Sequence, residues 1–294
     1  MSHLTSRQAV YGLLTLWPTG LVLTLINAQV PQVTTPVFAV FAGIYVALAA
    51  AVIRCVAVSG PTAAVNWVAA SIALFAIAGF TGEPTARQPS SMLINTAVLF
   101  AVSLAVLVGA VGLLVRFRRS HRMTVAVPAV FVLGIATGGF LLNLLARTAM
   151  VLTGGAEQQV TVEDTHWSAA QYLRGLSGPV DFVGYILVWL DLVQIAYVGS
   201  AYVAAGALAR LATGESAVPR RFGTFVTRAA YVSAAVLAIT VVAAIALPHG
   251  VDAVPAAIAF ALSIPFMATL IPYFLGVAIL ATAANRSRTP LEAK

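Results

Sequence analysis

The chain has 294 residues, 61% of them hydrophobic and 9% charged, with a mean hydropathy of +0.97. Soluble domains carry about 25% charged residues, so this composition excludes one and points to a chain that crosses a membrane repeatedly. The net charge of +7 does not imply a nucleic-acid partner, because the basic residues sit in short loops between apolar runs and report topology.

A single cysteine, Cys55, excludes an internal disulfide and a cysteine-rich metal site. Lysine occurs only at Lys294, which excludes a retinal Schiff base within a helix. His3, His121, His166 and His249 all fall in predicted loops, against an intramembrane haem or copper site. No cofactor and no metal is expected.

Eight apolar segments stand out at a window of about 19 residues. They cover 10–27, 37–58, 63–80, 92–115, 125–146, 180–209, 225–247 and 255–284. They predict an all-α fold, a single polytopic membrane bundle of about eight transmembrane helices. The first segment follows Arg7 but is long for a signal-peptide core, and Ile26-Asn27-Ala28 is a poor cleavage site, so it reads as a helix. Its Trp17-Pro18 pair predicts a kink. With the N-terminus inside, thirteen of the sixteen basic residues are cytoplasmic and only Arg87, Arg147 and Arg174 lie outside. That bias places both termini in the cytoplasm and the chain in the cell (inner) membrane. The basic run from Arg116 to Arg122 reads as a topogenic loop touching anionic membrane lipid.

The fifth segment carries Gly134 and Gly138 and the sixth Gly199, small residues that read as close-packing positions. The outer loop 152–177 contains Asp164-Thr165, which can cap a short helix bearing Trp167, Ala170 and Leu173 at helical spacing. Glu163, Asp164 and His166 are metal-compatible in type but match no ligand spacing, and read as a solvated loop. The last segment holds Pro255, Pro265 and Pro272, of which the two interior ones remove hydrogen bonds and should bend the helix. No internal repeat is visible.

The sixth segment organises the functional reading. Asp191 lies about eleven residues inside it, or roughly 16 Å deep, near the bilayer midplane. A carboxylate there costs about 2.5 kcal/mol or more on insertion scales, so it needs a partner, a proton or water. Among apolar side chains it is expected to keep its proton, with Gln194 placed to orient it and Phe182, Tyr185 and Trp189 offering electron-rich faces. A shallower polar group comprises Asn143 and Arg147, four residues apart on one helix face, with Asp181 and Glu83 at the outer boundary. Arg147 and Asp181 flank the long loop, so an ion pair between them is sterically available, either functional or anchoring the loop. DxxxD and DDxxD arrangements are missing, which excludes metal-triggered ionisation of a diphosphate, and no HExxH, Walker A or Rossmann glycine pattern occurs.

Three functions fit these residues. In the first, Asp191 protonates an alkene or epoxide of a lipophilic isoprenoid drawn from the bilayer, and aromatic faces stabilise the migrating carbocation. In the second, Asp191 is the coupling carboxylate of a small proton-driven transporter. In the third, the protein is a structural membrane subunit. The alanine-rich helical pattern, the isolated acids Glu83, Asp181 and Asp191 and the lack of a metal motif resemble the integral-membrane terpene cyclases. The resemblance implies metal-independent, proton-initiated cyclisation by two embedded acids, Glu83 with Asp191 or Asp181. The lack of repeat symmetry, one deep acid without a deep basic partner and the aromatics on its helix tip the reading toward an isoprenoid enzyme. Asn143, Arg147, Tyr185, Trp189 and Gln194 would then contact the substrate. The pattern differs from the fungal members in lacking a Trp-Glu pair and in having eight segments instead of seven.

Overall fold

The computed structural model describes residues 35–57, 60–81, 89–153, 182–246, 258 and 261–286. Among the described residues there are seven helices, further helical residues at 258 and 261–263, and no strand. They are α1 (Thr35–Ala57), α2 (Thr62–Thr81), α3 (Pro89–Arg116), α4 (Met123–Leu152), α5 (Phe182–Gly214), α6 (Arg220–Ala246) and α7 (Pro265–Arg286). The reason is the solvent: hydrocarbon offers no hydrogen-bond partners, so an apolar run must satisfy its backbone within itself. Five helices, α3 to α7, are long and apolar enough to cross a membrane, which makes this a membrane protein whose described part is all-helical. α1 and α2 coincide with the second and third expected segments. The first segment (10–27), Glu83, Asp181, the capped outer helix and the Glu163–His166 cluster lie outside the described residues.

One boundary differs from expectation: α4 continues to Leu152, six residues past its expected end. In the last segment residues 258 and 261–263 are helical and α7 follows a break at Ile264, in line with the bend expected at Pro265. The break has a local cause. Pro265 offers no N–H, and the chain bends at Ile264, where Met267 N donates to Ile264 O at 3.0 Å. Pro272, by contrast, is carried inside α7 without a break.

α5 is the central helix, packed against α4, α6, α7 and part of α3. Its buried side chains run almost all round it from Leu190 through Tyr197, Val198, Tyr202 and Leu208 to Ala212. An all-round apolar helix belongs in the interior, whereas α4 shows lipid-facing Phe131, Ile135 and Leu142. α2 and α3 pack antiparallel and close, with Trp67 Nε1 donating to Val106 O at 2.9 Å. Gly109 permits that approach, since a Cβ there would lie 2.6 Å from Trp67 Nε1. The expected close-packing glycines behave otherwise. Gly138 and Gly199 have open space where a Cβ would stand, and Gly134 meets only Leu107 at 4.0 Å. The intimate helix contacts fall at Gly109, Gly112, Gly206 and Gly276 instead.

Antiparallel packing also sorts the charges. α4 begins where α5 ends, with Arg122 Nη1 donating to Arg210 O at 3.3 Å. Arg286, at the end of α7, donates to Ser216 O between α5 and α6. Arginines at helix termini therefore gather at one end of the bundle, and Arg147 stands apart toward the other.

Candidate functional site

Arg147 and Asp191 meet across the seam between α4 and α5. Arg147 Nη2 donates to Asp191 Oδ1 at 2.8 Å, and the two side chains are only 17% and 9% exposed. Helix geometry explains how two residues at different depths can touch. Side chains lean toward the N-terminus of their own helix, and α4 and α5 run in opposite directions. Arg147, five residues from the end of α4, therefore reaches back into the bundle, while Asp191 leans toward the start of α5.

Asn143 completes the arrangement from one turn deeper on α4. Its Oδ1 accepts from Arg147 Nε at 3.0 Å, and its Nδ2 donates to the backbone carbonyl of Leu190. Asn143 is fully buried. The guanidinium is thus held at two points, on a carboxylate and an amide oxygen, a geometry that its planar fork can satisfy and an ammonium cannot. Below this network Phe140 and Tyr197 stack with ring centroids 4.4 Å apart, closing it on an apolar floor.

Two expectations change here. A deep acid lacking a basic partner is not what the structure contains: Arg147 is that partner. Nor does Gln194 orient Asp191. Its Nε2 donates to Ser263 O at 3.4 Å, and Tyr202 Oη donates to Leu262 O at 3.0 Å. In an unbroken helix those two carbonyls would accept from the N–H groups of residues 266 and 267. The bend at Ile264 diverts Met267, and α5 side chains serve the carbonyls in its place. Asp191, which meets Arg147, and Gln194, which meets the break before α7, therefore sit about one turn apart on the central helix.

The remaining predicted residues scatter. Trp189 is 48% exposed on the outside of the bundle, so it does not wall an enclosed site. Tyr185 lies in the first turn of α5, with its side chain outside the described residues, as are Glu83 and Asp181 entirely. Arg147 pairs with Asp191, and the reading of a pair with Asp181 falls outside the described residues. The buried aromatics Phe140, Tyr197 and Tyr202 were not singled out as site residues, although Tyr197 and Tyr202 lie within eleven residues of Asp191 on the same helix.

An apolar cleft of about 820 Å³ runs along α5. α5 forms its floor through Leu192, Ile195, Ala196, Gly199 and Val203, and α4 and α6 form its walls. Leu192 lines it, but Asp191 does not. Among the described residues no three His, Cys, Asp or Glu side chains come together. No family model matches the chain, and neither the curated proteins nor the solved structures give a match.

Proposed function

We propose that the protein is a proton-coupled carrier of a small solute, with Asp191 as its proton-binding group and Arg147 as the counter-charge. In this reading it spans the cell membrane eight times, both termini in the cytoplasm, since the arginine-bearing helix ends share one end of the bundle. The observation that carries the reading is the buried Arg147–Asp191 pair joining α4 to α5 beside the break in α7. Intramembrane charges that pair with each other mark ion and substrate pathways, and broken helices border such pathways. A proton arriving at Asp191 cancels its charge and strands the guanidinium in a low-dielectric seam. Moving α4 against α5, or taking up a solute that satisfies Arg147, relieves that state. Proton binding and helix displacement are thereby one event.

The test uses proteoliposomes loaded with a pH-sensitive dye and challenged with amino acids, sugars and organic anions under an imposed pH gradient. Wild type should show solute-dependent proton entry. Asp191→Asn should abolish it while retaining solute exchange at zero gradient. Gradient-driven uptake that survives in Asp191→Asn refutes the assignment.

A second reading is favoured by the cleft, whose apolar walls suit a lipophilic isoprenoid. Asp191 would then protonate an alkene or epoxide without a metal, and the cation would migrate along the chain. It ranks second because Asp191 faces Arg147 and the cleft begins at the neighbouring Leu192. Conversion of a linear epoxidised isoprenoid to a cyclic isomer of equal mass, lost in Asp191→Asn, would establish it.

A further inference from the structure

At its basic end the cleft over α5 does not stop at Val203. One turn further, Ala207 and Arg210 of α5 line a second pocket of about 280 Å³, together with His121, Arg122 and Thr124 from the start of α4. Val125 lines both, so the apolar cleft and the basic pocket adjoin at that residue and together form a groove with an apolar and a basic part. Its apolar part runs along α5 from Leu192 to Val203, eleven residues or about 17 Å, and over the same span of α6 from Tyr231 to Val242. That length matches about half of a ~30 Å hydrocarbon core, the depth of one leaflet.

The basic pocket has fixed geometry. Arg122 crosses the end of α5, with Nη1 on Arg210 O at 3.3 Å. Its side chain rests where a Cβ on residue 214 would stand, 2.7 Å away, so Gly214 makes room for it. Arg210 and His121 are exposed. Glu215 is the one acid among the described residues at this end of the bundle.

We propose that this groove binds one anionic phospholipid, its phosphate held by Arg122 and Arg210 and one acyl chain laid in the cleft between α4 and α6. Neither half would select that ligand alone. An apolar cleft accepts any chain in the bilayer, and a basic loop attracts any anion, but their junction at Val125 sets the two at the spacing of a headgroup and its chain. The site uses none of the residues of the Arg147–Asp191 network.

The experiment is native mass spectrometry of the purified full-length protein with added dioleoyl phosphatidylglycerol or dioleoyl phosphatidylcholine. Wild type should retain one phosphatidylglycerol in preference to phosphatidylcholine, undisturbed by millimolar inorganic phosphate. Arg122→Gln with Arg210→Gln should reduce phosphatidylglycerol occupancy ~30-fold, at about fivefold per arginine, and leave phosphatidylcholine unchanged. Gly199→Leu, which fills open space on the cleft floor, should also lower occupancy without lowering the melting temperature. Should the double arginine variant melt early, Arg210→Gln and Gly199→Leu decide the matter by themselves. Equal retention of the two lipids, displacement by inorganic phosphate, or unchanged occupancy in Gly199→Leu overturns the proposal.

Discussion

Removing both halves of the Arg147–Asp191 pair should destabilise the bundle by less than the two single removals added together. With 17% and 9% of the side chains exposed, the pair is largely withdrawn from solvent. Breaking a buried pair at one end costs about 3–5 kcal/mol, because the surviving charge is left without compensation. Arg147→Leu takes the counter-charge from Asp191 and the Nε donor from Asn143 Oδ1, so it should lie near 4 kcal/mol on that scale. Asp191→Leu keeps the Asn143 contact of Arg147 and should lie near 3 kcal/mol. The double variant leaves neither charge, so its loss should fall short of the sum of the singles by about 2–3 kcal/mol. Arg147→Lys tests the fork, since one ammonium cannot reach both Asn143 and Asp191 in line, and about 1 kcal/mol should be lost. Steric trapping in bicelles measures these unfolding free energies. Single-variant effects that add to within about 0.5 kcal/mol would show that the two groups do not interact, and the proposed coupling would fail with them.

Other consequences are open to measurement. Asn143→Ala removes both bonds of a fully buried amide and should cost about 1–3 kcal/mol by the same assay. Tyr202→Phe strips a donor from Leu262 O, so backbone amides around the start of α7 should exchange with deuterium several-fold faster, with α3 unaffected. Gly109→Ala drives a Cβ into Trp67 and should cost about 1–3 kcal/mol, with a shift in tryptophan emission as the Val106 bond is lost. Gly138→Ala, facing open space in the same kind of helix, should be neutral or gain up to about 1 kcal/mol in thermal unfolding.

Helical segments are easy to read in this chain because a backbone in hydrocarbon has one local solution, and apolar run length reports it directly. The end of α4 was misplaced for the same reason it could be predicted at all. Hydropathy falls at Arg147, so the expected segment finishes at Ala146, which puts Arg147 at the boundary and not inside, whereas α4 runs on to Leu152. That displacement hid the partner of Asp191. The bend before Pro265 was legible from the missing N–H, but not that Gln194 and Tyr202 would serve the freed carbonyls.

Composition and order along the chain were enough for the membrane class, the α3 to α7 segments, the proline break and the conspicuous burial of Asp191, because each depends on a residue and its near neighbours. Which groups meet across helices depended on packing: the lean of side chains on antiparallel α4 and α5, and glycines that are tight at 109 and open at 199. A helix offers the same residues at every rotation about its axis. Only the neighbours against which it settles decide which face is seam, which is core and which is open to lipid.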